Sequence, residues 1–306
     1  MIPVFKRGDK SNPSNYCSIS LLSAVGKVAQ RVVFDAVYPF ISAQLSDCQS
    51  GFRNKDSTSL QLFRLVQQWS EAVDKGCYVG VIFFDLQKAF DKVWHAGLLA
   101  KLELLGIRGD ALSWFESYPS GRSQCTDVAG VKSQFADLHA GVPQGAILSP
   151  LLFTAFVNDL PQHGSTADIN LFADDTSASV RAKTASTLAD GLRTAVAECS
   201  VWFDRWFLTV NNKKTELLVI RSKKMEALPL SLKLNDTVIP QVATHKHLGL
   251  HINELLSWLD HTREVCTSAC RKIGLLRRLR CRLGPLIIRQ LYCSSIRPAI
   301  EYVSLS

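Results

Sequence analysis

The chain lacks any stretch apolar enough to span a bilayer as a helix, which takes roughly 20 residues. Its longest apolar run, residues 79 to 84 (VGVIFF), has the length of a strand and stops at Asp85. The first residues lack the charged, apolar and small-residue layout of a signal peptide. There is no internal repeat and no low-complexity linker. The nine cysteines are odd in number and not closely paired, unlike a disulfide framework. These absences exclude a helical membrane protein, a small disulfide-stapled secreted protein and a fibrous protein.

What is present suits a folded core. Of the 306 residues, 47% are hydrophobic and 20% charged, enough for about two domains or one large domain with subdomains. The formal charge of +8 is concentrated at one end. From His261 onward nine Lys or Arg oppose two Glu, whereas the first 260 residues hold 26 basic and 25 acidic groups. A basic end of this kind suits a phosphate backbone, because neutralising phosphates releases counterions. A solvated helical face explains it equally well. A calmodulin-like or membrane-surface helix fits less, since aromatic residues are sparse there.

The opening is rich in turn residues (Pro3, Gly8, Asp9, Asn12, Pro13) and predicts an extended loop to Ser18. Ser20 or Ser23 could cap a helix from Ala24 towards Leu45, kinked or ended by Pro39. A second helix is predicted over residues 57 to 74. YVGVIFFDL, residues 78 to 86, is a buried strand by its β-branched and aromatic run. A helix from Lys88 to Leu105 should end at Gly106, and another should run from Asp110 to Tyr118. Residues 124 to 139 alternate weakly, as a hairpin would. GVPQG, residues 141 to 145, is a turn cluster leading into an apolar helix with Pro150 near its start. Residues 169 to 180 alternate on both sides of Asp174 and Asp175, as in a hairpin. An amphipathic helix carrying Leu188, Leu192, Val196, Cys199, Phe203 and Trp206 follows. Strands are predicted at Glu216 to Ile220, Leu230 to Leu234, Thr237 to Ile239 and His247 to Ile252, and a basic helix from Asp260 to Leu283. Helices packed on an antiparallel sheet make an α+β fold.

Carboxylates stand where a core would rarely place them. Asp85 ends an apolar strand, and Asp174 and Asp175 sit at a hairpin tip. Brought together, such groups repel by about 4 kcal/mol per pair at 4 Å and an effective dielectric near 20. A divalent cation removes that repulsion, and Mg²⁺ prefers hard oxygen ligands and phosphate oxygens. Taken singly, an Asp-Asp pair marks a turn far more often than a metal site, and Asp85 could equally cap a helix. The ordered combination is what is specific.

With these residues in order, the sequence resembles the reverse transcriptases of non-LTR (LINE-like) retrotransposons, most closely the jockey-like type. NYCSISLL (15–22) and QSGFR (49–53), with Ser57 and Thr58 after it, are similar to the two fingers motifs. FFDLQKAFDKVWH (83–95), GVPQGAILSPLLF (141–153) and LFADDT (171–176) resemble the central palm motifs. KKTE (213–216) and KHLGL (246–250) resemble the closing ones. The resemblance covers nearly the whole chain.

It implies a right-hand polymerase with a reverse transcriptase palm. Fingers would come from about residues 1–75 and 100–140, palm from 76–99 and 141–252, and a partial, basic, helical thumb from 253–306. It implies an RNA-directed DNA polymerase adding deoxynucleotides to a primer 3′-hydroxyl on an RNA template by two-Mg²⁺ transfer. Its partners would be RNA template, DNA primer and dNTPs, with no membrane and no clear protein partner. Asp85 and Asp174 would bind Mg²⁺, Asp175 would assist, and the Leu86 carbonyl would add a contact. Phe90 would exclude a ribose 2′-hydroxyl; as a helix residue it could also simply be core. Arg53 would hold the triphosphate, its fork suiting phosphate oxygens, although a surface arginine near a turn looks the same. Gln144 and Gly145 would line the nucleotide and template pocket, Lys214 would protonate the leaving pyrophosphate, and Leu248 and Gly249 would position the primer.

The family's first motif usually has Arg and Pro where this chain has Cys17 and Ser18, and Pro119 replaces a usual leucine. The resemblance implies a fragment of a longer element protein, without the endonuclease and the upstream fingers extension. A catalytically decayed, nucleic-acid-binding remnant is the alternative function. A maturase-like or telomerase-like protein fits the motif wording less. Cys266 and Cys270 with Cys281 and His261 suggest zinc, but no second pair of ligands has the usual spacing. The element's life cycle implies a nuclear location, and no clear import signal is present: Arg277 to Arg282 is interleaved with leucine.

Overall fold

The computed structural model describes residues 1–302 apart from Arg7 and Ser165. The last four residues of the expected thumb therefore lie outside the described part. In chain order the strands and helices are β1 (Ile2–Phe5), β2 (Tyr16–Ile19), α1 (Ala24–Ser42), α2 (Thr58–Asp74), β3 (Tyr78–Phe84), α3 (His95–Leu104) and α4 (Asp110–Ser117). Four two-residue strands follow: β4 (Ser123–Gln124), β5 (Asp127–Val128), β6 (Val131–Lys132) and β7 (Ala136–Asp137). Next come α5 (Ser149–Val157), α6 (Leu160–His163), β8 (Asp168–Phe172), β9 (Asp175–Ala182) and α7 (Ala185–Arg205). The chain then forms β10 (Glu216–Ile220), β11 (Leu232–Leu234), β12 (Thr237–Ile239), β13 (Gln241–Val242), β14 (Thr244–His247) and β15 (Leu250–Asn253). It closes with α8 (Leu259–Leu279), α9 (Pro285–Leu291) and α10 (Arg297–Glu301). The main sheet has the strand order β13-β10-β3-β9-β8.

Contacts divide the chain into two compact units. One comprises Met1–Lys55, Phe84–Ala178 and Thr194–Lys214, the other Asp56–Phe83, Ser179–Arg193 and Thr215–Ser306.

In the first unit, the Ser23 hydroxyl accepts the Gly26 N–H at 3.0 Å and caps α1, settling the choice between Ser20 and Ser23. Pro39 stands inside the last turn of α1. The opening segment is not a loop: β1 pairs antiparallel with β2, Phe5 opposite Tyr16. Its turn residues fill the hairpin loop instead, with Ser11 and Asn15 bonded to Asp9. The helix expected from Lys88 is broken. Residues 89 to 92 make one 3-10 turn, and α3 begins only at His95. The cause is the GVPQG loop, whose Gly141 and Val142 N–H groups take the carbonyls of Val93 and Phe90 at 2.8 Å each. Residues 123 to 137 form two small antiparallel pairs, β4 with β7 and β5 with β6, rather than one hairpin. Every residue of α5 except Pro150 is buried, which explains why it reads as almost continuously apolar.

In the second unit, Ser57 caps α2 by accepting the Leu60 N–H at 3.1 Å. Leu62, Leu65 and Trp69 of α2 pack on Val79, Val81 and Phe83 of β3, with Leu218, Ile220, Leu250 and Ile252 completing the core. Each such side chain contributes about 1.5–3 kcal/mol through burial. β10 runs antiparallel to β3, Glu216 opposite Phe83. The strand expected over 247 to 252 is a hairpin, β14 against β15, because Leu248 (φ +46°) and Gly249 (φ +87°) turn the chain. α8 stops at Leu279, short of the expected Leu283, since Gly284 and Pro285 start a new helix.

His247 lies 4% exposed in this unit, beside Phe83 at 5.0 Å. Burial, and then the charge of His245, push its imidazole down to about 3. The unfolded chain takes up this proton near pH 6.5 and the folded chain does not, so the stability contribution is present above pH 6.5 and is lost as the pH falls towards 3. Thermal unfolding from pH 7.5 to 4 is expected to show Tm falling below pH 6.5, and His247→Leu is expected to flatten that fall.

Candidate active site

The acids come from two segments of the first unit. β3 ends at Phe84 and hands the chain to Asp85. β8 and β9 meet in a two-residue turn, Ala173–Asp174, and Asp175 opens β9. Ala173 is held at φ +57°, a left-handed conformation costly for alanine by roughly 1–2 kcal/mol.

Gln49 supports that strain. Its Oε1 accepts the N–H groups of Gly51 at 2.9 Å and Ala173 at 3.2 Å. The same segment is stitched to β8, Ser50 N–H to Leu171 O at 2.9 Å and Leu171 N–H to Cys48 O at 2.8 Å. Gly51 is there because a Cβ would stand 2.3 Å from the Ala173 nitrogen.

Asp85 is braced from the segment before β10. The Asn211 N–H donates to the Asp85 carbonyl at 2.7 Å, and the Asn211 side-chain amide donates to Oδ2 at 3.0 Å. The Lys214 ammonium lies 3.9 Å from the same oxygen. Leu86 bridges Val210, and Gln87 N–H reaches Thr209 O at 2.8 Å.

The three acids feel one another. Asp175 is pushed up to about 6, first by burial and then by the charges of Asp174 and Asp85. Asp174 is also raised, first by burial, with Asp85 adding to the rise and Lys6 opposing it. Both side chains still reach solvent. Solvent therefore trims both the burial contribution and the repulsion among the acids, and the upward direction is what remains. Among the described residues no group of three or more His, Cys, Asp or Glu side chains is assembled to hold a metal ion. The donor set nevertheless fits a hard divalent cation. All its members are carboxylates, they repel one another, and a positive ion between them removes the strain that the raised values report.

Phe90, five residues past Asp85, stacks on Phe153 with ring centroids 4.7 Å apart. Gln144 is fixed at both ends of its amide, with the Cys17 thiol donating to Oε1 and Nε2 donating to Asp91, both at 3.0 Å. Gly145 has φ +98°, which favours glycine. Asp91 is raised by burial, against the hydrogen bonds of Gln144 and Ser18. Cys17 and Ser18, the departures in the first motif, thus both bond to the Gln144–Asp91 pair. The Arg53 Nη1 donates to the carbonyls of Ser46 at 2.8 Å and Gln49 at 3.2 Å, and lies 3.7 Å from Asp47. Among the described residues Nη2 of Arg53 makes no hydrogen bond. Leu248 and Gly249 form the β14–β15 turn of the second unit. Cys266 and Cys270 are exposed on α8.

Sequence reasoning singled out neither Gln49, Asn211, Asp91 nor Lys6. Gln49 and Asp91 lie inside motifs already marked, QSGFR and KAFDK, whereas nothing in the sequence around Asn211 and Lys6 signals their partners.

Asp85 at a strand end beside a two-aspartate hairpin, within an α+β fold, is the build of a right-hand polymerase. A model of the reverse transcriptase (RNA-dependent DNA polymerase) family matches residues 6–252, and the chain belongs to that family. It is 29% identical over 289 residues to the probable RNA-directed DNA polymerase from transposon BS of Drosophila melanogaster, covering 92% of this chain and 32% of that protein. It is 26% identical over 317 residues to the RNA-directed DNA polymerase from the mobile element jockey of the same species, covering 99% of this chain and 34% of the relative. The chain thus spans about a third of the length of the curated relatives it matches. The structure of telomerase from Candida tropicalis in complex with a fragment of telomeric RNA has a TM-score of 0.51 at 11% identity, covering 92% of this chain and 45% of that one. At that identity the likeness is one of fold.

Proposed function

We propose that the chain is the nucleotide-adding part of a non-LTR retrotransposon polymerase, extending a DNA primer on an RNA template with deoxynucleotides. The observation that carries the reading is the placement in one unit of Asp85 at a strand end and of Asp174 and Asp175 at a hairpin tip, with the charge of Asp85 adding to the raised values of both hairpin acids. The family works with a divalent metal, and the carboxylate set favours Mg²⁺. Asp85 and Asp174 would hold it, with Asp175 assisting and the Leu86 carbonyl contributing. When bound, the metal supplies a lowered pKa for the primer hydroxyl and neutralises charge at the leaving pyrophosphate.

The chain's own residues do the rest. Asn211 orients the Asp85 carboxylate, and Gln49 holds the turn that presents Asp174. Nη2 of Arg53 is available for triphosphate oxygens. Lys214, beside Asp85, can give a proton to pyrophosphate. Gln144, fixed by Cys17 and Asp91, and Gly145 line the nucleotide pocket. Leu248 and Gly249 would seat the primer end. Fingers over about 1–75 and 100–140, palm over 76–99 and 141–252, and a basic thumb from 253 follow from the same reading. The nucleic-acid partnership is supported by the basic final segment and by the RNA present with the telomerase of like fold.

The test supplies purified protein with poly(A), oligo(dT), dTTP and Mg²⁺. Extension supports the reading. Binding that weakens steeply with salt, without extension, assigns the decayed remnant instead.

The Phe90 ring is pinned against Phe153, so its edge is a fixed wall and not a mobile side chain. Phe90→Ala is expected to raise ribonucleotide incorporation relative to deoxyribonucleotide by about tenfold or more, the range of one lost steric contact. Competition between UTP and dTTP on the same template measures it. An unchanged ratio would remove Phe90 from this role.

A further inference from the structure

The β14–β15 turn carries an unusual backbone: leucine, not only glycine, stands in the left-handed region, Leu248 at φ +46° ahead of Gly249 at φ +87°. Something must hold it, and the holder comes from the far end of the second unit. Tyr302, which follows α10, donates its hydroxyl to the Leu248 carbonyl at 2.6 Å. The same hydroxyl lies 3.1 Å from the Thr58 hydroxyl at the start of α2. Its ring packs so closely that a Cβ on Gly249 would stand 2.9 Å from Tyr302 Cε1. One side chain therefore ties together the turn, the first residue of α2 and the end of the basic helical segment.

We propose that Tyr302 is a positioning residue that locks the Leu248–Gly249 turn in the conformation that receives the primer strand of a bound duplex. The proposal rests on the primer-seating role given to that turn. It makes a turn 54 positions away in sequence the partner of a tyrosine hydroxyl, and it predicts a defect confined to primer binding.

The decisive variant is Tyr302→Phe in the full chain, which keeps the ring against Gly249 and removes only the hydroxyl. Two readouts are taken: fluorescence anisotropy of a labelled oligo(dT)–poly(A) duplex, which needs no catalysis, and steady-state extension with dTTP. Loss of one hydrogen bond is expected to weaken duplex binding and raise the KM for primer–template by roughly two- to tenfold. The KM for dTTP is expected to stay within about twofold, because the nucleotide pocket is built from other residues. Unchanged duplex affinity, or a dTTP KM rising in parallel with that for primer–template, would overturn the proposal. A wild-type chain that binds the duplex but does not extend it defeats the polymerase reading alone, since the anisotropy shift still decides the role of Tyr302. A wild-type chain that does not bind the duplex defeats both.

Discussion

Asp174→Asn is expected to reduce primer extension by roughly a thousandfold or more while leaving the fold and duplex binding intact. The substitution is nearly isosteric and keeps the Ala173–Asp174 turn, whose hydrogen bond to Gln49 runs through the backbone. What it removes is a negative oxygen from a set already short of positive charge. Losing a carboxylate that holds a catalytic cation forfeits about 4 kcal/mol of transition-state stabilisation, and each 1.36 kcal/mol is a factor of ten. Extension of oligo(dT) on poly(A), beside duplex anisotropy, reads both quantities. Extension near the wild-type rate would show that Asp174 does not serve the chemistry.

Gly51→Ala is expected to have the second-largest effect, and by a different route. The added methyl would stand 2.3 Å from the Ala173 nitrogen and 2.9 Å from the Phe172 carbonyl carbon. Both are backbone atoms, so no side chain can rotate out of the way. Overpacking of this kind costs about 1–3 kcal/mol, a fall in Tm on the order of 5 °C for a chain this size. The strained Ala173 must shift with it and carry Asp174 along. A displacement near 1 Å at a catalytic group costs about a hundredfold in rate. Extension measured well below Tm is therefore expected to fall much further than stability. If the variant extends at the wild-type rate, the link from Gly51 through Ala173 to Asp174 is wrong.

These two positions also show what the sequence makes legible. Asp174 could be marked because aspartates at the centre of an alternating apolar segment defy burial, and Gly51 because it lies in a recognisable motif. Local periodicity sufficed for α2, β3, α5 and α7, where one buried face or a fully buried helix imposes its pattern. It failed where long-range hydrogen bonds override local preference. Residues 88 to 94 have a helical composition, but Gly141 and Val142 claim their carbonyls, and only tertiary structure reveals that competition. The β1–β2 hairpin escaped because its strands are four residues long and partly exposed. Asn211 escaped because its partner, Asp85, stands 126 positions away. The same is true of Cys17 and Ser18. By sequence they are departures from a motif, and in the structure they bond to Gln144 and Asp91.

The central claim is that Asp85, Asp174 and Asp175 share a divalent cation. Manganese replaces magnesium on carboxylate oxygens and scatters anomalously. An anomalous difference map from crystals of the full chain grown with Mn²⁺ and dTTP is expected to show a peak within about 2.3 Å of Asp85 and Asp174 oxygens. The peak should vanish in Asp85→Asn. A manganese peak elsewhere with none among these three acids, in crystals of a chain that extends primers, would contradict the claim.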